Sequence, residues 1–220
     1  MAKQAGRTGP NPWVWVVVGA AAIAVLFFGY RGLNSRPPSS VSGSVPKITE
    51  PALPATGFTW RYRAYRLGSL QPSRLARGSR VTVVMLMASW CLYCAYEDKY
   101  VWPTILHTKG LALDIVDVST YSGIGDPGPK EPAFSGQDHP GPIVGATGMN
   151  QTMEKYVKQF GLKASNIHVY VDPEGLKYWG VTNFPTILLL NRHGQLVTRI
   201  QGALPLNRAK SVIQHVSNQR

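Results

Sequence analysis

The stretch that most constrains this chain is Ala88-Ser89-Trp90-Cys91-Leu92-Tyr93-Cys94, which holds its only two cysteines. Before it, Val81 to Met87 is apolar and rich in β-branched residues, the pattern of a buried strand. After it, Ala95 to Leu106 has helical potential. A strand that hands a Cys-x-x-Cys to the start of a helix is a redox arrangement. The unpaired N–H groups and positive dipole end of a first helical turn stabilise a thiolate. The spacing predicts Cys91 at the exposed helix start and Cys94 one turn inside, close enough to close a disulfide. Half of a zinc site, or two unrelated core cysteines, are the alternatives. A structural zinc site takes four ligands, and the sequence has neither a second Cys pair nor a His-x-x-x-His partner.

Charge narrows the partners. Lys and Arg outnumber the acids 23 to 11, for a net charge of +12. Such a balance suits nucleic acid, an anionic membrane surface, or plain solubility. No nucleic-acid motif accompanies it, and the aromatics are not interleaved with the basic residues, so no nucleic-acid partner is expected. Two cysteines in one motif are too few for a disulfide-stapled scaffold and suit catalysis better.

The N-terminal part is organised differently. Residues 1–12 are short, polar and basic. Trp13 to Tyr30 carry no charge, and as a helix they would span about 27 Å against the roughly 30 Å of a hydrocarbon core. Trp13, Trp15 and Tyr30 sit at the ends as interfacial anchors. A cleaved signal peptide would have a shorter apolar run and small residues after it, whereas Arg31-Gly-Leu-Asn follows. We expect an uncleaved transmembrane anchor at 13–30 and a Pro/Ser-rich linker at 31–57. Lys3 and Arg7 on one side nearly balance Arg31 and Arg36 on the other, so charge leaves the orientation open.

The remainder, 58–220, reads as one α/β domain. Phe58 to Tyr65 alternates as a strand or hairpin would, in a stretch carrying Arg61, Arg63, Arg66, Arg74, Arg77 and Arg80. These arginines form either a solvated face or a patch for anionic lipid headgroups, with Arg61, Arg63 and Arg66 foremost. Leu111 to Val118 is a second core strand with apolar residues at alternate positions. Residues 121–148 are dense in Gly and Pro and exclude a helix or long strand, so the segment is a functional or disordered loop. Asn150 is expected to cap a helix through Gln159, with Met149, Met153, Val157 and Phe160 on one face. Strands follow at Ile167–Val171, Thr186–Leu190 and Gln195–Gly202, with a turn at Asn191–Gly194. Pro205 is expected at the first position of a last helix.

With this order, and with Trp-Cys-x-x-Cys after the first core strand, the chain resembles the thioredoxin superfamily. Ala88 to Cys94, Gly180 to Thr186, the strand and turn Leu188 to Gly194, and the strand ending at Gly202 carry the likeness. Glu97, three residues after the second cysteine, makes it look most like the membrane-anchored ResA/TlpA/CcmG branch. That resemblance implies a thioredoxin-like fold, a mixed sheet flanked by helices, held outside the cell membrane by a single span. It implies Cys91 as attacking thiolate, Cys94 as resolving thiol, and Glu97 as an acid that tunes the site. The alternative for Glu97 is a solvated helix residue. It also implies a cis bond before Pro185, with Trp90, Phe184, Pro185 and Thr186 meeting substrate.

The implied activity is thiol–disulfide exchange with disulfide-containing extracytoplasmic proteins, running as a reductase and recharged by a membrane-embedded donor. No cofactor is expected. The chain departs from the family at Met85 (an Asp in thioredoxin), Lys99 (a Pro in the branch), Phe184, and the Leu92-Tyr93 pair. Since about 30 mV is about 1.4 kcal/mol of dithiol balance, these changes leave the redox direction open. The rival readings are a Cu(I)-handling module and a redox-inert interaction domain. In a doubly wound sheet, loops after parallel strands gather at one edge, so the 121–148 loop should meet the cysteines there and cover or select substrate.

Overall fold

The computed structural model describes residues 58–219. The expected anchor at 13–30, the segment before it and the linker to residue 57 lie outside these residues. Among the described residues, no helix is long and apolar enough to cross a membrane.

The frame is a seven-stranded mixed sheet. Its strands are β1 (Arg63–Arg66), β2 (Pro72–Arg74), β3 (Val81–Met87), β4 (Leu111–Asp117), β5 (Ile167–Val171), β6 (Thr186–Asn191) and β7 (Leu196–Gln201), in the spatial order β2-β1-β5-β4-β3-β6-β7. β3 pairs in parallel with β4, which pairs in parallel with β5. β6 runs antiparallel on the other side of β3. Every residue of β3, β4 and β6 is buried. A strand covered on both faces has no wet side, so it reads as a nearly continuous apolar run. The alternation seen in β4 is therefore not an inside–outside pattern, and Asp114 and Asp117 are buried with the rest.

Side-chain parity divides the core. Val83, Met85, Met87, Leu113 and Ile115 pack on one face with Cys94, Trp102, Met153, Tyr156 and Ile213. Val84, Leu86, Val116 and Leu188 pack on the other with Phe58, Tyr62 and Trp179. The arginine-rich stretch, where a strand or hairpin is expected, forms the β1–β2 hairpin. Its pairing of Tyr65 with Val171 adds it to the sheet edge at β5.

The helix after the cysteines is α1 (Leu92–Tyr96), a π-helical turn over Glu97–Val101, and α2 (Trp102–Ile105). The widened turn precedes Pro103, which has no N–H to give to an i−4 carbonyl. Here the Trp102 N–H reaches back five residues to the Glu97 carbonyl. α3 (Ala146–Phe160) begins at Gly145 rather than Asn150. Asn150 is not its cap but a buried residue within it, accepting the Gly68 N–H at 2.8 Å and donating to Glu154 at 2.8 Å. A polar residue satisfied by tertiary bonds looks like a cap when only its neighbours in sequence are seen. α4 (Gly175–Tyr178) is a single turn. In α5 (Leu206–Ser217), Pro205 is the N-cap, one position before its expected place.

Candidate active site

β3 ends at Met87, and the chain turns so that the Cys91 N–H donates to the Ala88 carbonyl at 3.0 Å. Cys91 is the N-cap residue of α1, with extended backbone (φ −81°, ψ 127°). Cys94 follows one turn inside. Both are thiols in this structure. Cys94 is fully buried as expected, but Cys91 is only 3% exposed, against the expectation of an open helix start. The covering comes from sequence-distant segments, described below.

Position at the helix start divides the two thiols chemically. The Cys91 thiol is held below its ordinary value, first by the hydrogen bond from Cys94 and then by the amides of Cys94 and Tyr93, against the opposing effects of burial and of Asp138. The Cys94 thiol is pushed well up by burial and by Cys91 beside it. One sulfur is thus prepared to be a nucleophile and the other to stay protonated until called on.

The Phe184–Pro185 peptide bond is cis, as the resemblance implies, and the Phe184 carbonyl oxygen lies 3.9 Å from the Cys91 sulfur. Pro185 is buried, and its carbonyl accepts the Gly202 N–H at 2.7 Å. Thr186 is buried in β6 and donates to the Asn183 carbonyl at 2.8 Å, bracing this turn. The Trp90 ring meets Phe184 edge to face at 5.7 Å, and its indole N–H donates to Ser119 Oγ at 2.8 Å. Cys91, Trp90, Phe184 and Pro185 are therefore brought together, while Thr186 supports them from below.

Glu97 is wholly buried, not a solvated helix residue. Its Oε1 accepts the Leu204 N–H, its Oε2 has no partner among the described residues, and burial pushes its carboxyl well above the usual range. Asp98, next to it, is equally buried and accepts the Tyr156 hydroxyl at 2.7 Å. Burial raises it to about 7. The sequence reading passed over this Asp98–Tyr156 pair. The signal available was two consecutive acids among mostly apolar and aromatic helix residues, but Tyr156 lies 58 residues away.

The 121–148 segment is ordered by bonds to the motif. The Gly125 N–H donates to the Ser89 carbonyl at 2.9 Å, and the His139 N–H to the Trp90 carbonyl at 3.0 Å. Asp138 Oδ1 accepts the Leu92 N–H at 2.7 Å. Tyr96 and Tyr100 donate to the carbonyls of Lys130 and Gly128, each at 3.0 Å, while Phe134 packs on the Tyr96 ring at 4.3 Å. The expected meeting of this loop with the cysteines is present, and it covers Cys91. A cleft of about 300 Å³ opens between the loop and α5, lined by Tyr96, Tyr100, Phe134 and Leu206 among others; neither cysteine borders it.

Arg61, Arg63 and Arg66 are exposed, as are Arg74, Arg77 and Arg80. For the copper reading, no group of three or more His, Cys, Asp or Glu side chains that could hold a metal ion occurs among the described residues.

A family model described as a thioredoxin-like domain matches residues 74–217. No curated protein sequence matches the chain. Among solved structures, an uncharacterized conserved protein from Geobacillus kaustophilus is 12% identical with a TM-score of 0.51, covering 72% of this chain and 79% of that one. A thioredoxin-like protein from Aeropyrum pernix is 16% identical (TM-score 0.49; 70% and 89% covered), and StoA from Bacillus subtilis is 16% identical (TM-score 0.44; 68% and 93% covered). At such identities the structural likeness concerns the fold alone. The family match spans most of the chain and includes both cysteines and the cis proline, and by it the chain belongs to the thioredoxin-like domain family.

Proposed function

We propose that this protein is a membrane-tethered thiol–disulfide oxidoreductase, working on the extracytoplasmic side as a reductase of protein disulfides. The observation that carries the chemistry is the unequal pair: a Cys91 thiol lowered at the helix start, and a Cys94 thiol raised by burial one turn behind it. The apolar 13–30 segment supports the tether. The likeness to the ResA/TlpA/CcmG branch supports the side of the membrane and a role such as apocytochrome c reduction.

In the forward reaction, the Cys91 thiolate attacks one sulfur of a substrate disulfide. That S–S bond breaks, a mixed disulfide forms, and the other substrate sulfur leaves and takes up a proton. Cys94 then gives up its proton and attacks the Cys91 sulfur, releasing the second substrate thiol. Two electrons have passed from the dithiol to the substrate, and Cys91–Cys94 is left as a disulfide for a membrane-embedded donor to reduce. Trp90, Phe184 and the cis Pro185 frame the attacking Cys91 sulfur, with Phe184 presenting backbone toward it. Exposed Arg61, Arg63 and Arg66 would let this edge of the domain rest on anionic headgroups.

The test is covalent capture. A Cys94→Ser variant lacks the resolving thiol and should accumulate a mixed disulfide through Cys91, lost again in Cys91→Ser/Cys94→Ser. A folded Cys94→Ser protein that captures nothing would overturn the reading.

A further inference from the structure

The first turn of a helix offers unpaired N–H groups, and at this helix start two different acceptors draw on them. The amides of Tyr93 and Cys94 serve the Cys91 sulfur. The amide of Leu92, between them and Cys91, is taken by Asp138 Oδ1 at 2.7 Å, from 46 residues further along the chain. The bond is not incidental to a wandering loop. His139, the next residue, is fixed by its own N–H to the Trp90 carbonyl, and Gly125 of the same segment to the Ser89 carbonyl. Three bonds on Ser89, Trp90 and Leu92 thus clamp the 121–148 segment around Cys91.

We propose that Asp138 is a positioning residue that holds the Cys91–Cys94 pair on the reducing side of its range. It occupies one amide of the helix start and sets a negative charge against the thiolate that forms beside it. A less favoured thiolate makes the dithiol less favoured relative to the disulfide, which makes the pair a stronger reductant. The other titratable groups facing Cys91 are Cys94, Glu97 from the π turn and Tyr156 from α3. Burial keeps Glu97 and Tyr156 toward their neutral forms, whereas Asp138 is exposed. The inference rests on the dithiol reading above and supplies the redox direction that the motif leaves open.

The experiment is equilibration of the full chain with glutathione buffers, for wild type, Asp138→Asn and Asp138→Ala, together with titration of the Cys91 thiolate by its ultraviolet absorbance. Asn keeps an oxygen for the Leu92 N–H and removes the charge. We expect Asp138→Asn to shift the equilibrium toward the dithiol by about threefold, which is about 14 mV at 29.6 mV per tenfold. Cys91 should titrate at lower pH, and added salt should narrow the difference from wild type. An unchanged equilibrium and titration in Asp138→Asn would overturn the proposal, and so would a shift seen only in Asp138→Ala, which would mark a purely structural cap. A wild-type pair that forms no disulfide even in oxidised glutathione would overturn the oxidoreductase reading as well, and so separates the two failures.

Discussion

The indole N–H of Trp102 donates to the thioether sulfur of Met85 at 3.1 Å, and both side chains are buried between β3 and the helix that carries the cysteines. Met85 stands where thioredoxin has its buried aspartate, six residues before the first cysteine. The polar partner has not vanished from this position; it has become a weak acceptor for a neighbouring indole. Leu is close to Met in volume, and such a swap alone costs under about 1.5 kcal/mol. Stranding a buried N–H adds about 1–3 kcal/mol. Met85→Leu should therefore lower unfolding free energy by about 2 kcal/mol in urea titration. A loss below about 0.5 kcal/mol would show that the sulfur is packing and nothing more.

Gly125 brings the insertion's backbone against that of the motif, its N–H donating to the Ser89 carbonyl at 2.9 Å. A Cβ placed on it would lie 2.6 Å from the backbone carbon and oxygen of Cys91. Backbone atoms cannot swing aside, so the loop must lift. Gly125→Ala should cost about 1–3 kcal/mol through this overpacking. It should also speed alkylation of Cys91 by iodoacetamide severalfold at fixed pH. Equal alkylation rates in variant and wild type would show that the loop does not shield the sulfur.

Glu97 binds the Leu204 amide through one oxygen and has the other oxygen unpartnered among the described residues. Gln can keep the first contact while losing the ability to exchange a proton. Glu97→Gln should still fold and still form the mixed disulfide through Cys91. Release of substrate, which needs Cys94 to lose its proton, should slow by about tenfold or more, with one limb of the pH–rate profile gone. Unchanged release rates across pH would leave Glu97 a structural residue.

Stability should fall as the pH rises from about 4 to about 8. Burial raises Asp98 to about 7, and Asp114 and Asp117 to about 8, from an ordinary 3.8. A raised carboxyl binds its proton more tightly in the folded chain than in the unfolded one. Its contribution is fully present below the unfolded value and is lost as pH climbs through the folded one. The loss therefore spans about pH 4 to 8, and each carboxyl gives up about 1.4 kcal/mol for every pH step of one between its two values. Asp114→Asn retains an oxygen for the Ala76 N–H. Its stability relative to wild type, followed by urea unfolding at about pH 5 and about pH 8.5, should improve by a few kcal/mol at the higher pH. A constant difference between the two would place the Asp114 carboxyl near its ordinary range.

What could be read residue by residue is what depends on near neighbours. β3 and β6 were visible as nearly continuous apolar runs, and β4 from apolar residues at alternate positions, although its Asp114 and Asp117 are buried as well. The Cys-x-x-Cys turn was visible because it is a short motif of its own, and the cis bond at Pro185 was what the resemblance to the thioredoxin superfamily implied. Places that failed share one cause. Asn150 looked like a cap until the Gly68 amide, 82 residues away, was seen to hold it. Cys91 looked open because nothing within its own turn covers it. Glu97 had no burial signal beyond its helix, and Asp138 was one polar residue in a Gly/Pro-rich stretch without periodicity. The pairing of the two thiols and the Tyr93 and Cys94 amides are local to the motif, but the groups that close around it come from 46 to 107 residues away in sequence, such as Asp138 on Leu92 and Leu204 on Glu97. Short-range pattern placed the dithiol at the head of a helix, where its own amides favour the Cys91 thiolate; packing of the insertion and the Phe184 turn against it decided how deeply both sulfurs are buried.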